Sequence, residues 1–370
     1  MAGIYIHVPF CVSKCYYCDF YSVKSGSNEI SSYISALSNQ IKSMVSGNID
    51  SIFFGGGTPS VLSPAQIGRV IELISDVGRI SEDAEITLEC NPEDANLNYL
   101  TELKYIGINR ISLGIQSLSD RVLKTIGRRH DSLTSETAVA NAIKAGFDNI
   151  SADLILCLPG ESSSDVNKNI EKLVKMDLPH FSTYMLSIPE GSIFFNDIPR
   201  GLSDDDKQAE IYLETSKKLR SLSYEHYEIS NFSKPGFHCR HNLKYWKCQD
   251  YIGLGPAAHS SISGLRYSFP KSIKLFEETY KHSMPFEIAL STLTPEGRVD
   301  STDYIIMGLR LSEGISLSSL YQLFGHTLSA EKLYLLKEYK DMGLVNYDGD
   351  YLSLTLEGFL LSNRIISSII

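Results

Sequence analysis

Cys11, Cys15 and Cys18 stand at C-x3-C-x2-C spacing just after a short apolar run. Three thiolates on one tight loop can each take one iron of a [4Fe–4S] cubane, leaving the fourth iron without a protein ligand. An open iron accepts a chelating ligand, and the amino and carboxylate groups of S-adenosylmethionine suit it. One electron from the reduced cluster can then cleave the sulfonium and release a 5′-deoxyadenosyl radical. A three-ligand zinc site or three unrelated buried thiols are the plainer readings. Zinc usually takes a fourth His or Cys close by, and unrelated thiols are seldom spaced this way, so the cluster is the expected chemistry.

Other residues have chemistry of their own. Gly55-Gly56-Gly57-Thr58-Pro59-Ser60 follows an apolar stretch at 51–54, and glycines there let backbone groups approach a ligand with no Cβ between. Asp153 interrupts the apolar run 149–157. A carboxylate in such a place is costly unless bonded, and a ribose hydroxyl is one partner that would serve. Glu89 closes another apolar run; it reads either as a ligand contact or as an ordinary strand-end carboxylate. A zinc site from Cys239, His241, Cys248 and His259 matches no compact zinc module. Gly253-Leu254-Gly255-Pro256 reads as a tight turn passing beneath a cofactor, and is weak as a nucleotide fingerprint because no strand–turn–helix context surrounds it.

The elements that would position these residues alternate. Strand candidates at 4–8, 51–54, 85–90, 110–116, 149–157 and 180–186 are separated by amphipathic helices. Ser63 and Pro64 suit the start of a helix whose Ile67, Val70, Ile71, Ile74 and Val77 share a face; Leu97, Leu100, Leu103 and Ile106 do the same in the next unit. Six strand–helix repeats imply an α/β fold with a parallel sheet under covering helices. Strands this apolar on both faces suit a curved, barrel-like sheet with function at the strand C-terminal ends. Past residue 200 a helix at 203–221 leads to a Tyr-, His- and Gly-rich stretch at 224–260. Helices at 301–311, 317–324 and 330–342 and a hairpin turning at Asp348-Gly349 then read as a winged-helix-like domain.

Composition narrows the partners. The 370 residues are 43% hydrophobic and carry a net charge of −10, which supports a full core and disfavours non-specific binding to nucleic acid. The helix at 330–342 bears Glu331, Lys332, Lys337, Glu338, Lys340 and Asp341; a groove-reading helix should be basic, so a structural or docking role is expected. The N-terminal apolar run is too short and polar for a secretory segment or membrane span, and a cytoplasmic location follows as an expectation.

At the cysteine motif the sequence resembles the radical-SAM superfamily, with Tyr17 as the aromatic before the last cysteine. It is more closely similar to the oxygen-independent coproporphyrinogen III oxidase family, and within it to the shorter heme-chaperone branch, over nearly the whole chain. The family opening stands as Tyr5-Ile6-His7-Val8-Pro9-Phe10-Cys11 and the glycine motif as Gly55 to Ser60. The resemblance implies a radical-SAM partial (β/α)6 barrel over 1–200, a connecting segment with a heme-binding motif over 201–290, and a winged-helix-like domain over 291–370. It implies S-adenosylmethionine contacts at Tyr5, Tyr17, Gly56, Gly57, Thr58, Glu89, Gln116, Arg128 and Asp153.

It also implies heme contacts at His241, Tyr245 and Trp246, where the branch motif H-N-x-x-Y-W stands. A histidine can ligate heme iron and the two aromatic rings can pack a flat macrocycle. The competing reading is a satisfied turn covering the barrel mouth, with His241 hydrogen-bonded and Trp246 in the core. The oxidase has a further cysteine two places beyond the third and an N-terminal extension; here Asp19 and Phe20 follow Cys18, and the chain starts close to the first strand. Both departures point to heme binding and transfer to an acceptor protein, with an electron donor as a further partner, and away from decarboxylation of coproporphyrinogen III. Transient membrane-surface contact and a homodimer stay open, and a redox-sensing DNA regulator is the third reading.

Overall fold

The computed structural model describes residues 1–24 and 26–370. Six parallel strands form its centre: β1 (Ala2–Val8), β2 (Asn48–Gly56), β3 (Arg79–Cys90), β4 (Arg110–Gln116), β5 (Asn149–Leu156) and β6 (His180–Met185), paired in that order. The crossovers carry α1 (Ser27–Met44), α2 (Pro64–Val77), α3 (Leu97–Tyr105), α4 (Ser132–Lys144) and α5 (Ser163–Val174). Their starts are chemically marked. Ser63 caps α2 by accepting from the Gln66 N–H, with Gln66 reaching back in a capping box and Pro64 in the first turn. Asn96, Asp131 and Ser162 cap α3, α4 and α5 by accepting from the N–H groups of Tyr99, Thr134 and Asp165, the last in a capping box.

One expectation needs correction. The strands are apolar on one face only. Ile4, Ile6 and Val8 of β1, Ile52 and Phe54 of β2, and Ile111, Leu113 and Ile115 of β4 are buried beneath the helices. The alternate residues turn inward and are mostly polar: Tyr5 and His7, Ser51 and Phe53, Glu85, Thr87 and Glu89, Arg110 and Ser112, Ser151 and Asp153, His180 and Ser182. Register places Gly3 beside Ser51, Ser51 beside Glu85, Glu89 beside Ser112, and Asp153 beside Ser182. With a period of two, each strand therefore builds the core with one set of side chains and the interior with the other.

The segment after residue 200 extends this sheet at both edges. Asn231–Ser233 pairs antiparallel with β6, and Glu225–Glu228 pairs with it in turn. On the other side Tyr251–Leu254 lies parallel to β1, followed by the antiparallel strands His259–Ile262, Leu265–Ser268 and Thr294–Arg298. The two edges remain separate, so the sheet is a partial barrel.

The C-terminal unit has the expected winged-helix-like order. Ser301–Gly308, Leu317–Phe324 and Ala330–Asp341 are helices, and Val345–Tyr347 pairs with Tyr351–Leu354. Asp348 makes the turn by accepting from the N–H groups of Asp350 and Tyr351, and Gly349 takes φ +112°. This unit covers the edge strand Glu225–Glu228: Ile229 N–H donates to Arg310 O at 2.9 Å, Ser312 N–H to Tyr227 O at 3.1 Å, and His226 lies against both Phe232 and Phe359. No described helix is long and apolar enough to cross a membrane.

Phe359→Ala removes the buried ring from this contact and is expected to cost about 3 kcal/mol, the low end for a buried aromatic truncation. The shift of the urea midpoint measures it, and a loss under about 1 kcal/mol would show that the C-terminal unit docks without that ring.

Candidate functional site

Strand β1 runs directly into the cysteine loop. Phe10 is fully buried, its ring edge-on to Tyr33 at 5.4 Å, and Phe10–Cys11 pairs with Val23–Lys24. The loop is further tied by Tyr16 N–H to Ile126 O at 3.1 Å, by Phe194 N–H to Tyr16 O at 2.9 Å, and by a turn from Cys18 N–H to Cys15 O. Cys11, Cys15 and Cys18 are half-exposed and form no disulfide. Thr58 Oγ1 donates to Cys11 Sγ at 3.3 Å, and Arg128 Nη1 donates to Cys15 Sγ at 3.4 Å. Burial, together with the neighbouring Cys15 and Cys11, pushes the Cys18 thiol up to about 11.

This donor set fits an iron–sulfur cluster. It offers soft sulfur ligands on one loop and hydrogen-bond donors aimed at two of the sulfurs. Among the described residues no group of three His, Cys, Asp or Glu side chains gathers around a single ion. The zinc grouping also comes apart: Cys239 is buried against Glu85, His241 is fully engaged, and His259 is exposed and paired with Glu296.

The glycine loop is welded to the cysteine loop. Gly57 N–H donates to Val8 O at 2.9 Å and Thr58 N–H to Phe10 O at 2.8 Å. A Cβ on Gly57 would lie 2.7 Å from Phe10 O, so only glycine permits this approach. Gly56 takes φ +106°, and a Cβ there would meet the His7 ring at 2.7 Å. Arg128 is fixed by Asn91 Oδ1 and Gly114 O, both at 2.8 Å.

Below the loops lie the interior acids. Glu89 faces Gly55, whose Cβ would fall 3.2 Å from its Oε2. Burial, then the nearby Asp153, pushes the Glu89 carboxyl up to about 8, against a hydrogen bond from the Gly56 backbone. Tyr5 OH lies 3.2 Å from His7 Nδ1, and His7 Nε2 lies 2.9 Å from Tyr21 O. Gln116, at the end of β4, takes φ +66°, and Cys157, just past β5, takes φ +65°; neighbouring strand ends thus hold two non-glycine residues in the left-handed region. Tyr17 packs against the small apolar cluster of Val122, Leu123, Ile126 and Leu158, beside Cys15 and Arg128.

Two expectations change here. Asp153 does not depend on a ribose for its hydrogen bonds: Ser112 Oγ donates to both its oxygens at 2.9 Å and Ser151 Oγ to Oδ1 at 3.1 Å. His241, Tyr245 and Trp246 do not form an open heme face. Their helix, Arg240–Trp246, closes the opposite end of the barrel, at the strand N-termini. Glu85 accepts from the N–H groups of Arg240 and His241 at 3.0 Å each, and Lys244 Nζ pairs with Asp50 at 2.8 Å. His241 is fully buried, with Nδ1 2.9 Å from Ser51 Oγ and Nε2 2.9 Å from Tyr245 OH. Trp246 points elsewhere, with Arg310 over its ring at 6.0 Å. Burial, then Lys244 and Arg110, pulls the His241 ring down to about 3, so it is neutral.

Sequence reasoning missed His7, Glu85, Asn91, Arg110 and Ser112. All but Asn91 lie on the inward face an even number of residues from one it did select, His7 two from Tyr5, Glu85 four from Glu89, and Ser112 and Arg110 four and six from Gln116, and that alternation was the available signal.

Comparison with known proteins accords with this geometry. Residues 5–173 match the model of the Radical SAM superfamily, the class that the partial barrel and its thiol loop define, and residues 302–361 match the HemN C-terminal domain. The chain is 34% identical over 366 residues to heme chaperone HemW of Lactococcus lactis, covering 98% of this chain and 95% of that one. It is 31% identical to heme chaperone HemW of Bacillus subtilis, covering 100% and 99%. The solved coproporphyrinogen III oxidase HemN of Escherichia coli has the same fold, with TM-score 0.82 at 22% identity over 99% of this chain and 89% of that one. The chain belongs to the HemW family of radical SAM proteins.

Glu89 gives the site a pH signature. Its carboxyl ionises near 8 when folded and at about 4.5 when unfolded. Between those values the unfolded chain has released a proton that the folded chain retains, so the Glu89 contribution to stability falls as pH rises and levels off above pH 8. Denaturant unfolding of the wild type and Glu89→Gln at pH 5.5 and pH 8 should show a smaller loss in the variant; equal losses would mean that Glu89 is ionised throughout.

Proposed function

We propose that this chain is a heme chaperone that binds heme and passes it to an acceptor protein, with a [4Fe–4S] cluster and S-adenosylmethionine in support. What supports it is the match along the whole chain to relatives called heme chaperone HemW. Phe20 stands two places past Cys18, where the resemblance to the oxidase family would put a further cysteine, which is a second reason to separate this chain from decarboxylation.

Cys11, Cys15 and Cys18 would hold the cluster, and the backbone of Gly56, Gly57 and Thr58 would meet S-adenosylmethionine. When bound together, these groups supply one-electron cleavage of the sulfonium. The chain's own residues do the positioning. Arg128 and Thr58 direct N–H and O–H groups at two cluster sulfurs, which stabilises negative charge there. Glu89, protonated at neutral pH, can donate a hydrogen bond into the interior while Asp153 accepts. Tyr5, Gln116 and Tyr17 complete the assigned contacts, and the helix Arg240–Trp246 keeps water out from the far end. An electron donor protein and a heme acceptor are the partners this reading requires.

Anaerobically reconstituted protein titrated with ferric heme should develop a Soret band that saturates near one equivalent and decays when apomyoglobin is added. Cys11→Ser, Cys15→Ser and Cys18→Ser combined should abolish bound iron and sulfide. No saturable band, or conversion of coproporphyrinogen III to protoporphyrinogen, would contradict the proposal.

A further inference from the structure

A line of buried polar groups runs from the edge of the sheet to Asp153. Cys239, the residue before the helix Arg240–Trp246, donates its N–H to Tyr227 OH at 3.2 Å. Tyr227 OH lies 2.8 Å from His180 Nε2, His180 Nδ1 lies 2.8 Å from Ser151 Oγ, and Ser151 Oγ donates to Asp153 Oδ1 at 3.1 Å. Ser151 and His180 have no exposed surface, and the His238 ring lies on Tyr227 at 4.2 Å. Asp153 is half-buried, so the line ends on a carboxylate that opens on the barrel interior.

The two ends fix the direction of every proton between them. A backbone N–H can only donate, so the Tyr227 oxygen accepts from Cys239 and its own proton goes to His180 Nε2. The Ser151 proton is committed to Asp153, so the Ser151 oxygen accepts from His180 Nδ1. The ring is therefore neutral, with its proton on Nδ1. Burial, then Arg110 and His238, holds it well below the usual histidine range, which agrees. The opposite orientation would leave the Tyr227 proton without an acceptor among the described residues, and would set His180 and Asp153 in competition for one Ser151 proton.

Asp153 is left with unequal oxygens. Oδ1 receives both Ser151 and Ser112, whereas Oδ2 receives only the shared Ser112 proton, at 2.9 Å. Oδ2 thus keeps the more available lone pairs for a donor that enters the interior.

We infer that His180 is a positioning residue for Asp153: as the Nδ1–H tautomer it holds the Ser151 proton on Oδ1 and leaves Oδ2 to accept from a hydroxyl of bound S-adenosylmethionine. This rests on the reading that S-adenosylmethionine binds beside Asp153. The test is equilibrium dialysis of S-adenosylmethionine against anaerobically reconstituted full-length protein, comparing wild type, His180→Phe and His180→Asn, with circular dichroism and iron and sulfide content confirming that each is intact. His180→Phe keeps a ring but loses both bonds, while His180→Asn can return an N–H to Ser151. Expected is binding ~5-fold weaker in His180→Phe, the worth of one buried hydrogen bond, and within ~2-fold of wild type in His180→Asn. Nitrogen NMR of the histidine-labelled wild type should show His180 as the Nδ1–H tautomer, and this measurement decides should His180→Phe fail to fold. An Nε2–H tautomer, wild-type affinity in folded His180→Phe, or equal losses in the two variants would overturn the positioning role and leave S-adenosylmethionine binding standing. A wild type that holds its cluster yet takes up no S-adenosylmethionine would overturn that reading and this inference with it.

Discussion

A sheet whose inner face is polar has to satisfy that face or pay for its desolvation, and this constraint organises the molecule. In a low-dielectric interior each unpaired carboxylate, guanidinium or hydroxyl is costly. At the strand N-terminal ends the cost is met from within: Glu85 receives the start of the helix Arg240–Trp246, Asp50 receives Lys244, Ser51 receives His241, and Ser151 bridges Asp153 and His180. Arg110, almost completely buried, makes no side-chain hydrogen bond among the described residues; its charge lies in the field of Glu85 and Asp153. Toward the C-terminal ends the satisfaction runs out. There Glu89 stays protonated, and the backbone turns left-handed at Gln116 and Cys157.

That asymmetry separates a closed floor from a reactive mouth. The floor is a structural element, held by the bonds of Glu85, Asp50 and Ser51 to the helix Arg240–Trp246. The mouth is built by two loops that share backbone hydrogen bonds, and Arg128 ties to the same unit through Cys15. A slip of one residue in β1 or β2 would exchange the two faces and remove Tyr5, His7 and Gly55 from the interior together.

Much of this was legible from residues alone. The strand–helix alternation, the Ser63 cap, the Asp348-Gly349 turn and the cysteine spacing each depend on neighbours within a few positions, and short-range chemistry is what a sequence displays. The polar inner face was harder to see. In Glu85-Ile86-Thr87-Leu88-Glu89-Cys90 the apolar residues set the impression, while the alternate ones carry the site. The position of His241 was out of reach, because it depends on Ser51, 190 residues away, and on Glu85, 156 away. A histidine beside a tyrosine and a tryptophan suggests a heme face until those distant partners are known.

The central claim is that the mouth presents a cluster with one open iron to S-adenosylmethionine beside Glu89 and Asp153. Electron paramagnetic resonance of the reduced, anaerobically reconstituted protein, before and after S-adenosylmethionine is added, tests it most directly. A shift of the cluster g-values on addition is the expected result, since the ligand enters the cluster's coordination. A cluster signal that the added S-adenosylmethionine leaves unaltered would contradict it.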